Sequence, residues 1–265
     1  MTESSRLTVL EEAKITIILL NYQRPQNIPV ILDSIKRQTI KATVFLWNNG
    51  NEDVNSPLID RYVESTENVG CMVRWKLARE AKTPYVMSLD DDICFNRNDA
   101  LQDIIESLED QDNPNRIIGV AGACFGKIPY YTMQQNFECP LPNHLPDQDV
   151  AVDIVKGRVM AFRKALLDDV QFPDEREDDI FLSSTFADKA RKFHRIPILL
   201  NDAFYDLPTF GRGNWLENQH FLSRDRALRK YFPSGGVLDN WFVRFCVLGP
   251  YRAKVFVLRK LGRLN

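Results

Sequence analysis

The chain has 265 residues, 44% of them hydrophobic, with 34 basic and 36 acidic side chains and a formal net charge of −2. That is enough apolar material for one substantial core, which excludes a disordered polymer, and the balanced charge gives no global basic field to favour nucleic acid. Five cysteines, Cys71, Cys94, Cys124, Cys139 and Cys246, are odd in number and too scattered for a zinc site or a disulfide framework, so a reducing compartment fits best.

The N-terminal stretch "MTESSRLTVLEEAKITIILL" lacks a basic leader region, and its apolar run is too short to span a bilayer. A cytosolic chain is expected. "ITIILL" (15–20) is short, apolar and rich in β-branched residues, the pattern of a buried parallel strand. The polar turn "NYQRPQN" follows, and then "IPVILDSIKRQ" (28–38) places Ile28, Ile31, Leu32 and Ile35 at helical spacing, with Pro29 in the first turn where its missing N–H costs little. The strand–turn pattern recurs at "ATVFLW" (42–47) with "NNGNED", and a helix over about 71–82 leads into the strand "YVMSL" (85–89). This βα alternation predicts a parallel sheet covered by helices.

Beyond that strand, "ALQDIIESLED" (100–110) reads as an amphipathic helix and "RIIGVAGACF" (116–125) as a strand. Residues 126–150 hold four prolines and little periodicity, so a long loop is expected. "AVDIV" (151–155) resumes strand character, "RVMAFRKALLDDV" runs into a helix, and 178–193 reads as a helix. "IPILL" (196–200) reads as the last strand, before a polar loop and a helix over about 216–231. The expected boundaries are one domain over 1–235 and a basic amphipathic segment over 236–265, whose mix of Trp241, Phe242 and Phe245 with Arg244, Arg252 and Lys254 suits peripheral contact with an anionic membrane face. A helix packed on the domain with solvated basic residues explains the same composition.

Chemistry concentrates in two acidic clusters. Asp90, Asp91 and Asp92 fall where the strand 85–89 ends, the edge at which open parallel sheets bind ligands. Adjacent carboxylates raise one another's pKa unless a cation or strong donors neutralise them, and a hard divalent ion with oxygen ligands does so; a polar turn or a helix cap is the plainer explanation. The loops "NYQRP" and "WNNG" share that edge, offering Asn21, Arg24, Asn48 and Asn49 for a nucleotide, although Asn and Gly also favour turns for their own sake. "ENVGCMVRWKLA" adds Asn68, Arg74 and Lys76, cations suited to a departing diphosphate or to a solvated helix face. The second cluster, "EREDDIF" (175–181), opens a helix. Its carboxylates either answer the helix dipole or take a proton from a substrate hydroxyl.

Taken together, these segments resemble the nucleotide-sugar-dependent glycosyltransferases of the GT-A fold, both the family 2 group and the C-terminal transferase domain of exostosin-like proteins. "ILLNYQRPQNIPVILDSIKRQT" is similar to their donor-nucleotide loop, "LWNNG" to the exostosin-type turn, "YVMSLDDDICF" to their DXD segment, "VKGRVMAFRKALL" to the family 2 stretch before the acceptor site, and "DDIFLSS" to the acidic pair followed by Leu. The resemblance covers roughly residues 14–230. It implies an α/β, Rossmann-like, mixed but mainly parallel sheet flanked by helices, with a C-terminal helical tail. It implies Asp92 as ligand to Mn²⁺ or Mg²⁺, with Asp90 and Asp91 on the donor side. Asn21, Arg24, Asn48, Asn49, Asn68 and Arg74 are implied around a nucleoside diphosphate sugar, a UDP-sugar in the first instance.

By the same resemblance Asp179 is the catalytic carboxylate and Asp178 its acidic neighbour. The run "EDD" also allows the pair to be Glu177 and Asp178, and the spacing to Leu182 favours Asp179. His220 is a further metal candidate. Where the exostosin-like domain has an arginine after Trp, "GRGNWLENQHF" has Leu216 and Glu217 after Trp215, which tells against a retaining mechanism by that route. The implied acceptor is a glycan or glycolipid hydroxyl. A sugar nucleotidyltransferase is the nearest alternative, but "NYQRPQN" lacks the glycine-rich loop it uses after the first strand; a carbohydrate-binding protein of the same fold without turnover is the other.

Overall fold

The computed structural model describes residues 12–50, 53–110, 112–125, 134–138, 148–174, 176–188, 190–211 and 218–232. An eight-stranded sheet organises the chain. Its centre is β1 (Ile15–Asn21), paired in parallel with β2 (Ala42–Asn48) on one side and β4 (Tyr85–Asp90) on the other, and β2 pairs in parallel with the short edge strand β3 (Arg61–Glu64). All seven residues of β1 are buried. A strand covered on both faces has no polar side to show, which is why its sequence reads as a continuous apolar run.

Between these strands lie α1 (Ile28–Lys36), which buries Ile28, Ile31, Leu32 and Ile35, and α2 (Val73–Ala78), which packs against β1 and β2. Beyond β4 come a three-residue strand, β5 (Ile93–Phe95), then α3 (Ala100–Glu109), β6 (Ile118–Gly119) and β7 (Ala121–Phe125). β8 (Gln134–Glu138) follows, then β9 (Val150–Val152), β10 (Ile154–Val155) and β11 (Val159–Arg163). The last of the described elements are α4 (Asp178–Phe186), β12 (His194–Ile196), β13 (Phe204–Asp206) and α5 (Asn218–Tyr231).

β11 runs antiparallel to β4 and β6, β12 is parallel to β6, and β9 closes the edge antiparallel to β12, giving the order β3-β2-β1-β4-β11-β6-β12-β9. β10, β7 and β8 form a small antiparallel sheet, and β13 pairs with β5. The expected mixed, mainly parallel sheet is present, and its parallel half holds the expected strand-end loops.

Several boundaries differ from the sequence reading. The strand expected over 116–125 is two strands, because the chain passes at Val120 from the main sheet into the small one. "VMAFR" (Val159–Arg163) is strand rather than the approach to a helix, and only Lys164–Leu167 makes a 3-10 turn. The helix expected over 178–193 stops at Phe186, after which Asp188 takes a positive φ. "IPILL" is a 3-10 turn over Ile198–Leu200; the strand there is His194–Ile196, and β13 follows it. Within the region expected to be a loop, Gln134–Glu138 is a strand. The basic segment 236–265 lies outside the described residues. Among the described residues no helix is long and apolar enough to cross a membrane.

Candidate active site

Parallel register brings the ends of β1, β2 and β4 to one edge: Asn21 lies opposite Asn48, and Leu20 opposite Asp90. The strand-end amides hold this edge together. Asn21 Nδ2 donates to Asn48 Oδ1 (2.7 Å), and Asn48 Nδ2 donates to the Tyr62 hydroxyl on β3 (3.0 Å). Asn49 Nδ2 donates to Asn68 Oδ1 (2.8 Å) and to the Gly70 carbonyl (3.2 Å), while its Oδ1 accepts from the Val69 amide (2.9 Å). Asn68 Oδ1 also accepts from the amide of Gly70, whose φ of 88° suits glycine. Asn21, Asn48 and Asn49 are buried, so these side chains shape the pocket by fixing its loops.

The three aspartates diverge. Asp91 turns inward: its Oδ2 accepts from the Tyr22 amide (2.6 Å), its Oδ1 pairs with Arg24, and its carbonyl accepts from Asn27 Nδ2 (2.7 Å). Burial, against the opposing pull of Arg24, pushes its carboxyl up to about 7. Asp90 and Asp92 face outward, with side chains 34% and 23% exposed against 5% for Asp91. Burial and then the charge of Asp90 raise the Asp92 pKa. Arg24 Nη1 lies 3.0 Å from Asp92 Oδ2, so a single arginine spans Asp91 and Asp92. The β5–β13 pairing brings a further loop here, with the Leu207 amide donating to the Asp92 carbonyl (2.8 Å), and Arg158 pairs with Asp206 alongside.

At the start of α4 the acidic pair is divided between two cations. Asp178 Oδ2 accepts from Arg74 Nε (2.8 Å) and from the Trp75 indole (2.6 Å), and Arg74 Nη1 donates to Asp90 Oδ1 (2.6 Å). Asp179 is held from the other direction. Arg224 of α5 forks onto it, Nη1 to Oδ1 at 3.0 Å and Nη2 to Oδ2 at 2.7 Å, and the Ile180 amide adds a third donor (2.8 Å). The environments pull the pair apart: burial, despite Arg74, leaves the Asp178 pKa raised, whereas for Asp179 burial is overridden by Arg224 and its pKa is lowered. Glu177 pairs with the Ser223 hydroxyl.

The structure therefore joins Arg24, Asp90, Asp91 and Asp92 in one cluster, connects it through Arg74 to Asp178, and leaves Asp179 facing α5. His220 falls in α5, and its side chain lies outside the described residues. Among the described residues no group of three or more His, Cys, Asp or Glu side chains is arranged to hold a metal unaided. The donor set nevertheless suits a hard ion that takes its remaining ligands from a diphosphate and water: two outward carboxylates, one with a raised pKa that a cation would relieve. Trp75 and Arg224 belong to the site without any expectation from sequence, while Gly157 and Arg158 fall in the stretch "VKGRVMAFRKALL" that the resemblance sets before the acceptor site. Arg224 had no distinguishing signal, being one of four cations in "SRDRALRK".

The family model for glycosyl transferase family 2 matches residues 16–170, more than half of the chain. No curated protein sequence matches. Among solved structures, the mannosyltransferase PcManGT from Pyrobaculum calidifontis, solved with GDP-Man and Mn²⁺, is similar with a TM-score of 0.55 at 19% identity, over 85% of this chain and 69% of that one. TarS of S. aureus is similar with a TM-score of 0.49 at 15% identity, over 88% of this chain and 45% of that one.

Proposed function

Because the chain belongs to glycosyl transferase family 2, we propose that it transfers a sugar from a nucleoside diphosphate donor to a hydroxyl of a glycan or glycolipid, with inversion at the anomeric carbon. The observation that supports this most is the outward turn of Asp90 and Asp92 around an inward Asp91, at the edge where three parallel strands end. Asp92, with Asp90 beside it, would hold Mn²⁺ or Mg²⁺. Such an ion, when bound, neutralises charge on the leaving diphosphate.

The residues of the chain divide the remaining work. Arg24 neutralises the aspartate cluster and fixes the loop after β1, while Asn48, Asn49 and Asn68 hold the loops that would enclose the nucleoside. A base must take the proton of the acceptor hydroxyl as the new C–O bond forms and the old C–O bond releases the nucleoside diphosphate with its electron pair. The sequence resemblance implies Asp179 as that base. Geometry favours Asp178, because Asp179 has both oxygens engaged by Arg224 and a lowered pKa, whereas Asp178 has a raised pKa and is linked through Arg74 to Asp90. A catalytic acid or base is best matched when its pKa approaches working pH. We assign the base to Asp178 and give Asp179 the task of anchoring α5.

Asp92→Ala tests the site as a whole. It is expected to abolish metal-dependent release of nucleoside diphosphate from the donor, and retention of full activity contradicts the metal assignment. Asp178→Asn is expected to lower kcat by about 10²–10⁴-fold with donor affinity kept. If Asp179→Asn does this instead, the base is the one the spacing favours. Guanosine donors belong in these assays beside the uridine donors that the sequence resemblance suggests, since the similar mannosyltransferase was solved with GDP-Man.

A further inference from the structure

We propose that Arg74 is a positioning residue that fixes Asp90 at the donor edge and Asp178 at the head of α4 as one unit, and that residue 157 is glycine so that this guanidinium can lie between them. The proposal deepens the transferase reading and rests on it for the role of Asp178.

A cation preceding the carboxylate strand invites the role of diphosphate ligand. The placement of Arg74 tells against that role. Its side chain is 2% exposed, and its Nε and Nη1 are already committed to two different carboxylates. The guanidinium is a planar fork, so donating in two directions sets the orientation of both acceptors at once, which the point charge of lysine does not do. Trp75 strengthens the arrangement: its indole shares Asp178 Oδ2, and its ring packs 4.9 Å from Phe162 on β11. Asp178 is thus steered by two neighbouring residues of α2, one carrying charge and the other rooted in the core.

Gly157 leaves the space that the guanidinium occupies. Its carbonyl accepts from Ser88 Oγ (2.8 Å), and that hydroxyl in turn accepts from the Met160 amide (3.0 Å), which pins the backbone of residue 157 to β4. A Cβ at this position would sit 2.7 Å from Arg74 Nη2 and 3.5 Å from Asp178 Oδ1. The tip of an arginine usually yields to such a contact. Here Asp90 and Asp178 hold it, so a methyl group displaces the guanidinium at the expense of both bonds.

The test compares Arg74→Lys, Arg74→Gln and Gly157→Ala with the native full chain. Two quantities are read: calorimetric affinity for UDP and GDP in the presence of Mn²⁺, and kcat on whichever nucleotide sugar the native chain turns over. All three variants are expected to lose at least about tenfold in kcat, as mispositioned catalytic groups do, beyond any change in nucleotide affinity that the release of Asp90 brings; lysine does not rescue. A loss confined to nucleotide affinity makes Arg74 a diphosphate ligand and overturns the proposal, as does Gly157→Ala at native kcat. An Asp90→Asn, Asp178→Asn double-mutant cycle in urea unfolding reads the linkage without turnover. Strong non-additivity is expected because the two share one arginine, and simple additivity overturns the unit. A coupled cycle in a chain that turns over no nucleotide sugar sinks the transferase reading and leaves the unit standing.

Discussion

Asp90, Asp91 and Asp92 are identical in sequence and different in environment, and only their placement was legible. The sequence places all three at the end of a buried strand, but Asp91 and Asp92 form the turn after it, where strand alternation no longer decides which side chain points inward. The cations that neutralise them were not legible, because Arg24 meets Asp91 across 67 residues and Arg74 meets Asp178 across 104. At the same scale, His194 sets part of the stability profile. Its Nδ1 accepts from the Ile117 amide (3.0 Å) and its Nε2–H donates to the Ser183 carbonyl (2.7 Å), so the buried ring is neutral and has no free nitrogen for a second proton. Burial pushes its pKa down to about 4. The unfolded chain accepts a proton near 6.5, whereas the folded chain refuses it until about 4, so stability falls as pH drops through that window, by about 3 kcal/mol in full. Urea unfolding at pH 7.5 and pH 5 checks this. The loss on acidification is expected to be about 2 kcal/mol smaller in His194→Gln, and an equal loss contradicts the assignment.

The element that carries the most buried charge is α4. "EREDDIF" reads correctly as a helix start whose acids could answer the helix dipole, but the sequence does not show that all of α4 except Thr185 is buried. Burial obliges each acid to find a partner, and α5 supplies two of them, Arg224 and Ser223, while Ile180 and Ile154 pack with Ala227, Leu228 and Phe232 in a small core beside the main one. The helical character of 218–231 was visible in the sequence. Its docking was not, because no periodicity distinguishes Arg224 from Arg226 or Arg229. Removing one partner of a buried pair leaves the other charge uncompensated, so Arg224→Ala is expected to cost about 3–5 kcal/mol in urea unfolding. Asp179→Asn in the Arg224→Ala background is expected to recover much of that loss. No recovery would show that Arg224 stabilises the fold by a route other than Asp179.

For the molecule as a whole, the parallel strands β1, β2 and β4 with their strand-end loops were the legible part, since a buried parallel sheet writes itself as apolar runs separated by polar turns, whereas the half-exposed edge strand β3 was not. The antiparallel half was harder to read. β6, β10 and β12 are two or three residues long, below the length at which periodicity carries information, and β11 looked like the approach to a helix because Ala165, Leu166 and Leu167 follow it. That half nevertheless completes the site, because β11 lies beside β4, carries Gly157 and Arg158 in the turn before it, and brings the two acidic clusters to a common edge. This edge is proposed to release a nucleoside diphosphate from a sugar donor with the help of a divalent ion. The most direct measurement is diphosphate release by the full chain across a panel of uridine and guanosine nucleotide sugars, with Mn²⁺ and again after EDTA. At least one donor is expected to be turned over, EDTA to abolish the turnover, added Mn²⁺ to restore it, and Asp92→Ala not to respond to the metal; undiminished release in EDTA, or no release from any donor, contradicts the metal-dependent transferase reading.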